Sequence, residues 1–299
     1  MSILDGSVET TKAEPGFFSI QDSDLTSLKD KVVLITGGSS GIGLAAVKIC
    51  VSLRAKVVVG DVNECPEKSD AVTFQKVDVT DWKQQSALFK KAIEVHGAVD
   101  HCFANAGIGP TDTFTKDTFD SAGELEPPNM KTMEINLNGP IFTSKLALHY
   151  LRKNPEGGSL VITASASSFT PFVATDYGVA KHGALGLMRN LDANLKDSNI
   201  RVNCITPLWT ASGLVPAEMM KEHLGIISQP PEAAARSALL LMADGERRGQ
   251  TMFSKRSMFK EIDSIAMKAM VEAVAPGPGD VPADEAKGKA FNEMFSKGS

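Results

Sequence analysis

The chain has no hydrophobic run long enough to cross a bilayer, no basic cluster and no close pair of cysteines, and each absence excludes something. Its longest apolar stretches, around Lys31–Ile35 and Lys56–Val59, are only strand-length, so no membrane partner is expected. Lys and Arg number 31 against 36 Asp and Glu, with a formal charge of −5 and a pI near 5.6. That balance, without a K/R-rich run, argues against nucleic acid or an anionic membrane as partner. The four cysteines, Cys50, Cys65, Cys102 and Cys204, form no C-x-x-C pair, so neither a zinc site nor a disulfide framework is indicated. Cys102 and Cys204 fall in strand-like runs and read as buried and inert. The histidines (His96, His101, His149, His182, His223) lack metal-ligand spacing and read as structural. The opening MSILDGSVETTKAEPG has neither a basic start nor an apolar segment, so no signal or transit peptide is expected and a cytoplasmic location is the default.

What is present is the material of a core. Hydrophobic residues make up 42% and charged residues 22%, the balance of a globular protein, and 299 residues suit one large α/β domain or two small ones. Residues 1–29 read as a loosely ordered arm. After it, strand-like runs alternate with helical ones. The strands are Lys31–Thr36, Lys56–Gly60, Phe74–Val77, Val99–Ala104, Ser159–Thr163, Arg201–Ile205 and Gln250–Ser254. The helices are Leu44–Leu53, Asp81–His96, Asn129–Asn154, Thr175–Lys196, Pro231–Met242 and Met258–Val274. Residues 108–128 form a long irregular loop, functional or mobile, and 208–230 read as a mobile segment. The tail 275–299 reads as peripheral. Such alternation implies an α/β fold, a doubly wound parallel sheet of about seven strands with helices on both faces and no second domain. The expected divisions are an arm (1–29), the sheet domain (30–255) and a C-terminal helix and tail (256–299).

Chemistry concentrates where strands end. Gly37-Gly38-Ser39-Ser40-Gly41-Ile42-Gly43 joins the first strand to a helix, the arrangement that sets backbone N–H groups and a helix N-terminus against a phosphate. Asp61 closes the second strand, where a carboxylate meets the hydroxyls of an adenosine ribose and repels a 2′-phosphate. The residue before Gly41 is Ser40, not Lys or Arg, so NAD is expected rather than NADP. Asn105-Ala106-Gly107 follows the fourth strand and Ser165 the fifth. Tyr177 and Lys181 lie four apart on one helix face, where an ammonium would stabilise a phenolate and lower the tyrosine pKa towards neutrality. Trp209, Phe169, Phe172 and Leu214 sit on loops beyond these strands and read as an apolar substrate wall.

Taken together, TGGSSGIG, FANAG and YGVAK resemble the T-G-x-x-x-G-x-G, N-A-G and Y-x-x-x-K motifs of the short-chain dehydrogenase/reductase family, over roughly residues 30–255. The resemblance implies a Rossmann fold and an NAD(H)-dependent oxidoreductase interconverting a secondary alcohol and a ketone on an apolar, cyclic or polyketide-like molecule. It implies that Tyr177 is the general acid/base, Lys181 its modulator and a nicotinamide-ribose ligand, Ser165 the holder of the substrate oxygen, and Asn136 the anchor of a relay water. Gly37, Gly41, Ile42 and Gly43 would wrap the pyrophosphate, with Ser39 and Ser40 also among the cofactor-binding residues. Asp61 would bind the adenosine ribose, Asp78 and Val79 the adenine, and Asn105, Ala106 and Gly107 would flank the ribose. Pro207 and Thr210 would border the nicotinamide, with Ser212 an equal candidate to Thr210. It further implies a homodimer or homotetramer through the helices Asn129–Asn154 and Thr175–Lys196.

The chain also departs from the family. Ser165 stands twelve residues before Tyr177 where thirteen is commoner, and Ser167 and Ser168 compete with it. Pro207-Leu208 replaces the usual Pro-Gly, and the frequent Asp-Gly-Gly ending is absent. Two alternatives stay open: an NADP-dependent carbonyl reductase, and a dinucleotide-binding protein with a non-redox role in cyclisation or regulation.

Overall fold

The computed structural model describes residues 15–213 and 217–273. The first part of the arm, Leu214, the His223 side chain and the tail lie outside the described residues. Eight strands form one sheet in the order β3-β2-β1-β4-β5-β6-β7-β8. They are β1 (Val32–Thr36), β2 (Lys56–Asp61), β3 (Val72–Lys76), β4 (His101–Ala104), β5 (Gly158–Thr163), β6 (Ile200–Pro207), β7 (Thr251–Lys255) and β8 (Met258–Glu261). The first seven are parallel; β8 alone is antiparallel.

The central strands are apolar throughout because both faces are covered. In β1, Val33 and Ile35 enter one core with Val47 of α1 (Gly41–Ser52) and Leu239 of α7 (Pro231–Ala243). Val32 and Leu34 point the other way, to Leu88 and Phe89 of α2 (Trp82–His96) and Met188 of α5 (Thr175–Asn194). Asp81 caps α2, accepting from Lys83 N at 2.7 Å and Gln84 N at 3.1 Å, and Gly97 ends it with φ of 79°. Register aligns Thr36 with Gly60 on one side and Ala104 on the other. The carboxyl ends of β1, β2 and β4 are thereby level, and the chain reverses direction across the sheet between β1 and β4, where such sheets bind ligands.

Four expectations are corrected. Met258–Glu261, expected in a helix, is a strand: Arg256 and Ser257 both adopt positive φ (48° and 60°), the tight hairpin geometry that folds β8 back on β7. The helix following it, α8 (Asp263–Ala273), belongs to a second compact unit that begins at Asp263. The described part of the arm is packed rather than loose. Phe18 exchanges two backbone hydrogen bonds of 2.9 Å with Phe259, and a 3-10 helix, Asp22–Leu28, buries Leu25 and Leu28 completely. Segment 208–230 contains α6 (Ala217–Leu224). The long helix predicted over Asn129–Asn154 is α3 (Lys131–Met133), a π-helical turn (Glu134–Asn138) and α4 (Gly139–Leu151) in succession.

Candidate active site

A cavity of about 630 Å³ opens at the carboxyl ends of the parallel strands. The loop after β1 forms its floor, and glycine is forced there by close approach. A Cβ on Gly43 would stand 1.9 Å from the Gly37 carbonyl oxygen and 2.7 Å from Asn105 Nδ2. Gly37 itself has φ of +70°, and its Cβ would stand 2.6 Å from the Ala106 Cα. Ser40 makes no side-chain cap to α1, so the first N–H groups of that helix are left for a ligand. Gly37, Ser40, Gly41 and Ile42 line the cavity; Gly43 does not, and acts by letting α1 and β1 close up. Ser39 lies behind them. Its N–H donates to Asp61 Oδ2 at 3.0 Å and its hydroxyl to the Asn63 carbonyl at 2.7 Å.

Asp61 faces the same cavity with one carboxylate oxygen accepting from Ser39 N and the other from Asn63 N at 2.9 Å. Each oxygen keeps a lone pair for a ligand hydroxyl. Asp78 and Val79 line the neighbouring wall, with Asp78 Oδ1 held by the Thr80 N–H and hydroxyl. Asn105 ties the strand ends together: Nδ2 donates to the Thr36 and Gly37 carbonyls, and Oδ1 accepts from Thr163 Oγ1 at 3.1 Å. The narrow glycine cradle, the open helix N-terminus and a carboxylate at the end of β2 fit a dinucleotide.

At the far end stand Tyr177 and Lys181 on α5, with Ser165 opposite. Ser165 begins a tight turn in which its N–H donates to Ser168 Oγ at 3.1 Å and its own Oγ accepts from Ser167 N at 3.2 Å. The three serines are thereby told apart. Ser168 is committed to the Lys181 carbonyl at 2.7 Å, Ser167 lines the cavity, and Ser165 lines it and hydrogen-bonds the Tyr177 phenol. Burial pushes that phenol above its ordinary value, and the Ser165 hydrogen bond offsets part of the rise. The expected depression by Lys181 is therefore absent from the protein alone. Lys181 Nζ sits 5.6 Å from the Tyr177 ring centroid, donates to the Thr163 carbonyl at 2.9 Å, and is itself lowered by burial to about 8.

Asn136 is fully buried and does not line the cavity. Its Oδ1 accepts from Ile108 N and its Nδ2 donates to Ile108 O, both at 2.8 Å. The side chain thus clamps the loop after Asn105-Ala106-Gly107 and has little left for a water; the π-helical turn around it is the feature that could free a main-chain carbonyl instead. Thr210 borders the cavity, but its hydroxyl donates to the Leu208 carbonyl at 2.8 Å and accepts from Gln229 Nε2 at 3.2 Å. Ser212 also borders it, and a Cβ on Gly41 would meet the Ser212 Cβ at 3.2 Å. Pro207 and Leu208 complete this edge.

Phe172 and Trp209 form an apolar wall beside Tyr177. The Phe172 ring meets Tyr177 edge-on at 6.0 Å and Trp209 at 6.2 Å. Phe169, expected in that wall, instead packs on Phe253 at 6.2 Å, outside the cavity. Sequence reasoning missed Ile108, Ile135 and Met220, which enter the lining through folding of distant segments. It missed Asp176 as well, although its place beside Tyr177 was visible. Burial alone would raise this carboxyl, but the Thr132 hydroxyl and the N–H groups of Thr111, Tyr177 and Asp112 outweigh burial and hold it below the ordinary carboxylate range. Among the described residues no cluster of three or more metal-ligating side chains occurs, and no helix is long and apolar enough to cross a membrane.

A family model described as short chain dehydrogenase matches residues 31–222. The short-chain dehydrogenase/reductase ascJ of Acremonium egyptiacum is 42% identical over 283 residues, spanning 92% of this chain and 95% of ascJ. (+)-Borneol dehydrogenase 1 of Salvia officinalis is 33% identical over 201 residues, 64% of this chain and 74% of its own length. The crystal structure of levodione reductase superposes with a TM-score of 0.63 at 24% identity, covering 77% of this chain and 97% of that one, a likeness of fold.

Proposed function

The chain belongs to the short-chain dehydrogenase family, oxidoreductases that work with a nicotinamide dinucleotide, and from that premise we propose an NAD(H)-dependent enzyme interconverting a secondary alcohol and a ketone. The observation that carries this reading is the half-buried Tyr177 phenol, facing Ser165, at the apolar end of a cavity whose other end is a glycine cradle with Asp61.

Held by Gly37, Gly41, Ile42 and Asp61, a nicotinamide dinucleotide would supply the hydride chemistry at the substrate carbon. The chain's own residues manage the proton. In reduction Tyr177 gives its phenolic proton to the carbonyl oxygen, and in oxidation it takes one from the hydroxyl. Ser165 Oγ donates to the same oxygen and fixes which face of the carbon is presented. Lys181, titrating near 8 and hydrogen-bonded to Thr163, is suited to pass protons close to neutral pH and to bind a ribose hydroxyl. Asn136 keeps Ile108 in place, and the π-helical turn offers a main-chain site for a relay water. Asp61 accepts the ribose hydroxyls and disfavours a 2′-phosphate, the basis for NAD over NADP. Asp78 and Val79 would border the adenine, and Pro207 with Thr210 or Ser212 the nicotinamide.

The Phe172–Trp209 wall supports an apolar, cyclic substrate, and the relative named (+)-borneol dehydrogenase is in keeping with this. The half-exposed Ile141 on α4 and Val179 on α5 support a homo-oligomer through those helices. The deciding test is a titration with NAD, NADP and their reduced forms, followed by turnover on a panel of cyclic secondary alcohols and ketones. Tighter binding of NAD and oxidation of bound NADH by a ketone uphold the proposal. Tighter binding of NADP, or no turnover on any member of the panel, contradicts it.

A further inference from the structure

The loop between β4 and α3 leaves and rejoins the fold at the rim of the cavity: Ile108, Gly109 and Pro110 line it at one end, Lys131 and Ile135 at the other. Between these ends the chain projects into solvent as a small hairpin. Phe119 bridges Leu125, Glu126 N donates to the Thr118 carbonyl at 2.9 Å, and Asp120 N to the Glu124 carbonyl at 2.9 Å. Its Phe114, Phe119, Leu125 and Met130 are all half or more exposed, so burial of its own side chains does little to hold it.

What fixes its base is polar and buried. Asp176, 6% exposed and next to Tyr177 on α5, accepts from Thr111 N at 2.9 Å through one carboxylate oxygen, and its other oxygen is buried without a hydrogen-bond partner. The Thr111 and Thr132 hydroxyls lie 2.8 Å apart, and Thr132 is fully buried. Thr111 belongs to the outgoing end of the loop and Thr132 to the returning end. The carboxylate therefore holds the outgoing end directly and the returning end through Thr111.

We propose that Asp176 is a positioning residue for substrate: it latches both ends of the rim loop to the helix that carries Tyr177, and so sets the wall that Gly109 and Pro110 present beside the phenol. It touches neither substrate nor cofactor, and acts through Thr111 and Thr132. This role rests on the reading of the Tyr177 end as the alcohol and ketone site. The latch itself does not.

The test uses the full chain. Trypsin cleavage at Lys116, inside the projecting loop, reports the latch without any turnover. Asp176→Ala is expected to speed that cleavage about tenfold by opening the base of the loop. Its KM for a ketone substrate is expected to rise about tenfold while kcat changes less than about threefold and the dinucleotide Kd less than about twofold. Asp176→Asn keeps the shape and one acceptor for Thr111 N, and returns KM to within about threefold of wild type. Should Asp176→Ala not fold, Thr132→Val, which removes only the returning-end hydroxyl, must still accelerate cleavage at Lys116, while Asp176→Asn stays near the wild-type rate. Unchanged cleavage in folded Asp176→Ala or Thr132→Val, or a loss in kcat with KM untouched, overturns the proposal. If cleavage accelerates but Tyr177→Phe leaves turnover intact, the latch stands and the assignment of the site falls.

Discussion

Gly43→Ala is a small change with a large expected effect. The added methyl would stand 1.9 Å from the Gly37 carbonyl oxygen and 2.7 Å from Asn105 Nδ2. Neither neighbour can yield cheaply. Gly37 is pinned against the Ala106 backbone, and Asn105 is held by hydrogen bonds to Thr36, Gly37 and Thr163. Overpacking a tight site costs about 1–3 kcal/mol, and backbone on one side of the clash points to the upper figure. About 3 kcal/mol corresponds to roughly a 150-fold loss in an equilibrium constant, if all of it falls on the dinucleotide cradle. If it falls on folding instead, Tm drops by roughly 2–4 °C per kcal/mol in a chain of this size. Fluorescence titration with NADH and thermal unfolding, measured on the same preparation, capture both shares. Gly245→Ala is the control: nothing lies within 4 Å of its Cβ and its φ is not positive, so its effect should stay within about 0.5 kcal/mol. An unchanged Kd together with an unchanged Tm in Gly43→Ala would refute the close approach of β1 and α1 on which the cradle depends.

Further predictions concern cofactor choice, pH and the substrate wall. Asp61→Ala should weaken NAD about tenfold to a hundredfold, the loss of hydrogen bonds to a charged acceptor, while NADP binding is unchanged or improved; isothermal titration of both decides it. Lys181 should make stability rise with pH over a defined window. Its folded pKa of about 8 lies below the ordinary 10.5, so between those values the unfolded chain holds the extra proton and raising the pH favours the folded state. Thermal unfolding from pH 7.5 to 10.5 should show that gain in wild type and lose it in Lys181→Met. Phe172→Ala removes edge-on contacts to both Tyr177 and Trp209, each worth about 0.5–1.5 kcal/mol, and should raise KM for a cyclic substrate about threefold to thirtyfold in steady-state assays.

The fold was legible because strand composition and glycine placement speak locally. VVLIT, KVVVG and SLVIT are apolar on both faces, as strands inside a doubly wound sheet must be. The strand β8 was not legible, because Arg256-Ser257 lacks the Asn-Gly signal although it adopts the same backbone. Nor was the packing of the arm, since Phe18 finds Phe259 only through the tertiary fold. Most of the candidate site lay in recognisable motifs at strand ends. Three properties did not. The Tyr177 phenol is raised because burial outweighs the Ser165 hydrogen bond, a balance that spacing on a helix cannot weigh. Asn136 turns to the backbone of Ile108, and Thr210 to the neighbouring Leu208 carbonyl and the Gln229 side-chain amide, because buried polar groups there needed partners. Asp176 acquires its role only when Thr111 and Thr132 are brought beside it.

The most direct measurement of the central claim is single-turnover oxidation of bound NADH by a ketone that the wild type reduces, repeated with Tyr177→Phe. Removing the proton donor while keeping the ring should slow the step by at least about a hundredfold with the NADH Kd unchanged. A rate within about twofold of wild type would contradict general acid catalysis by Tyr177.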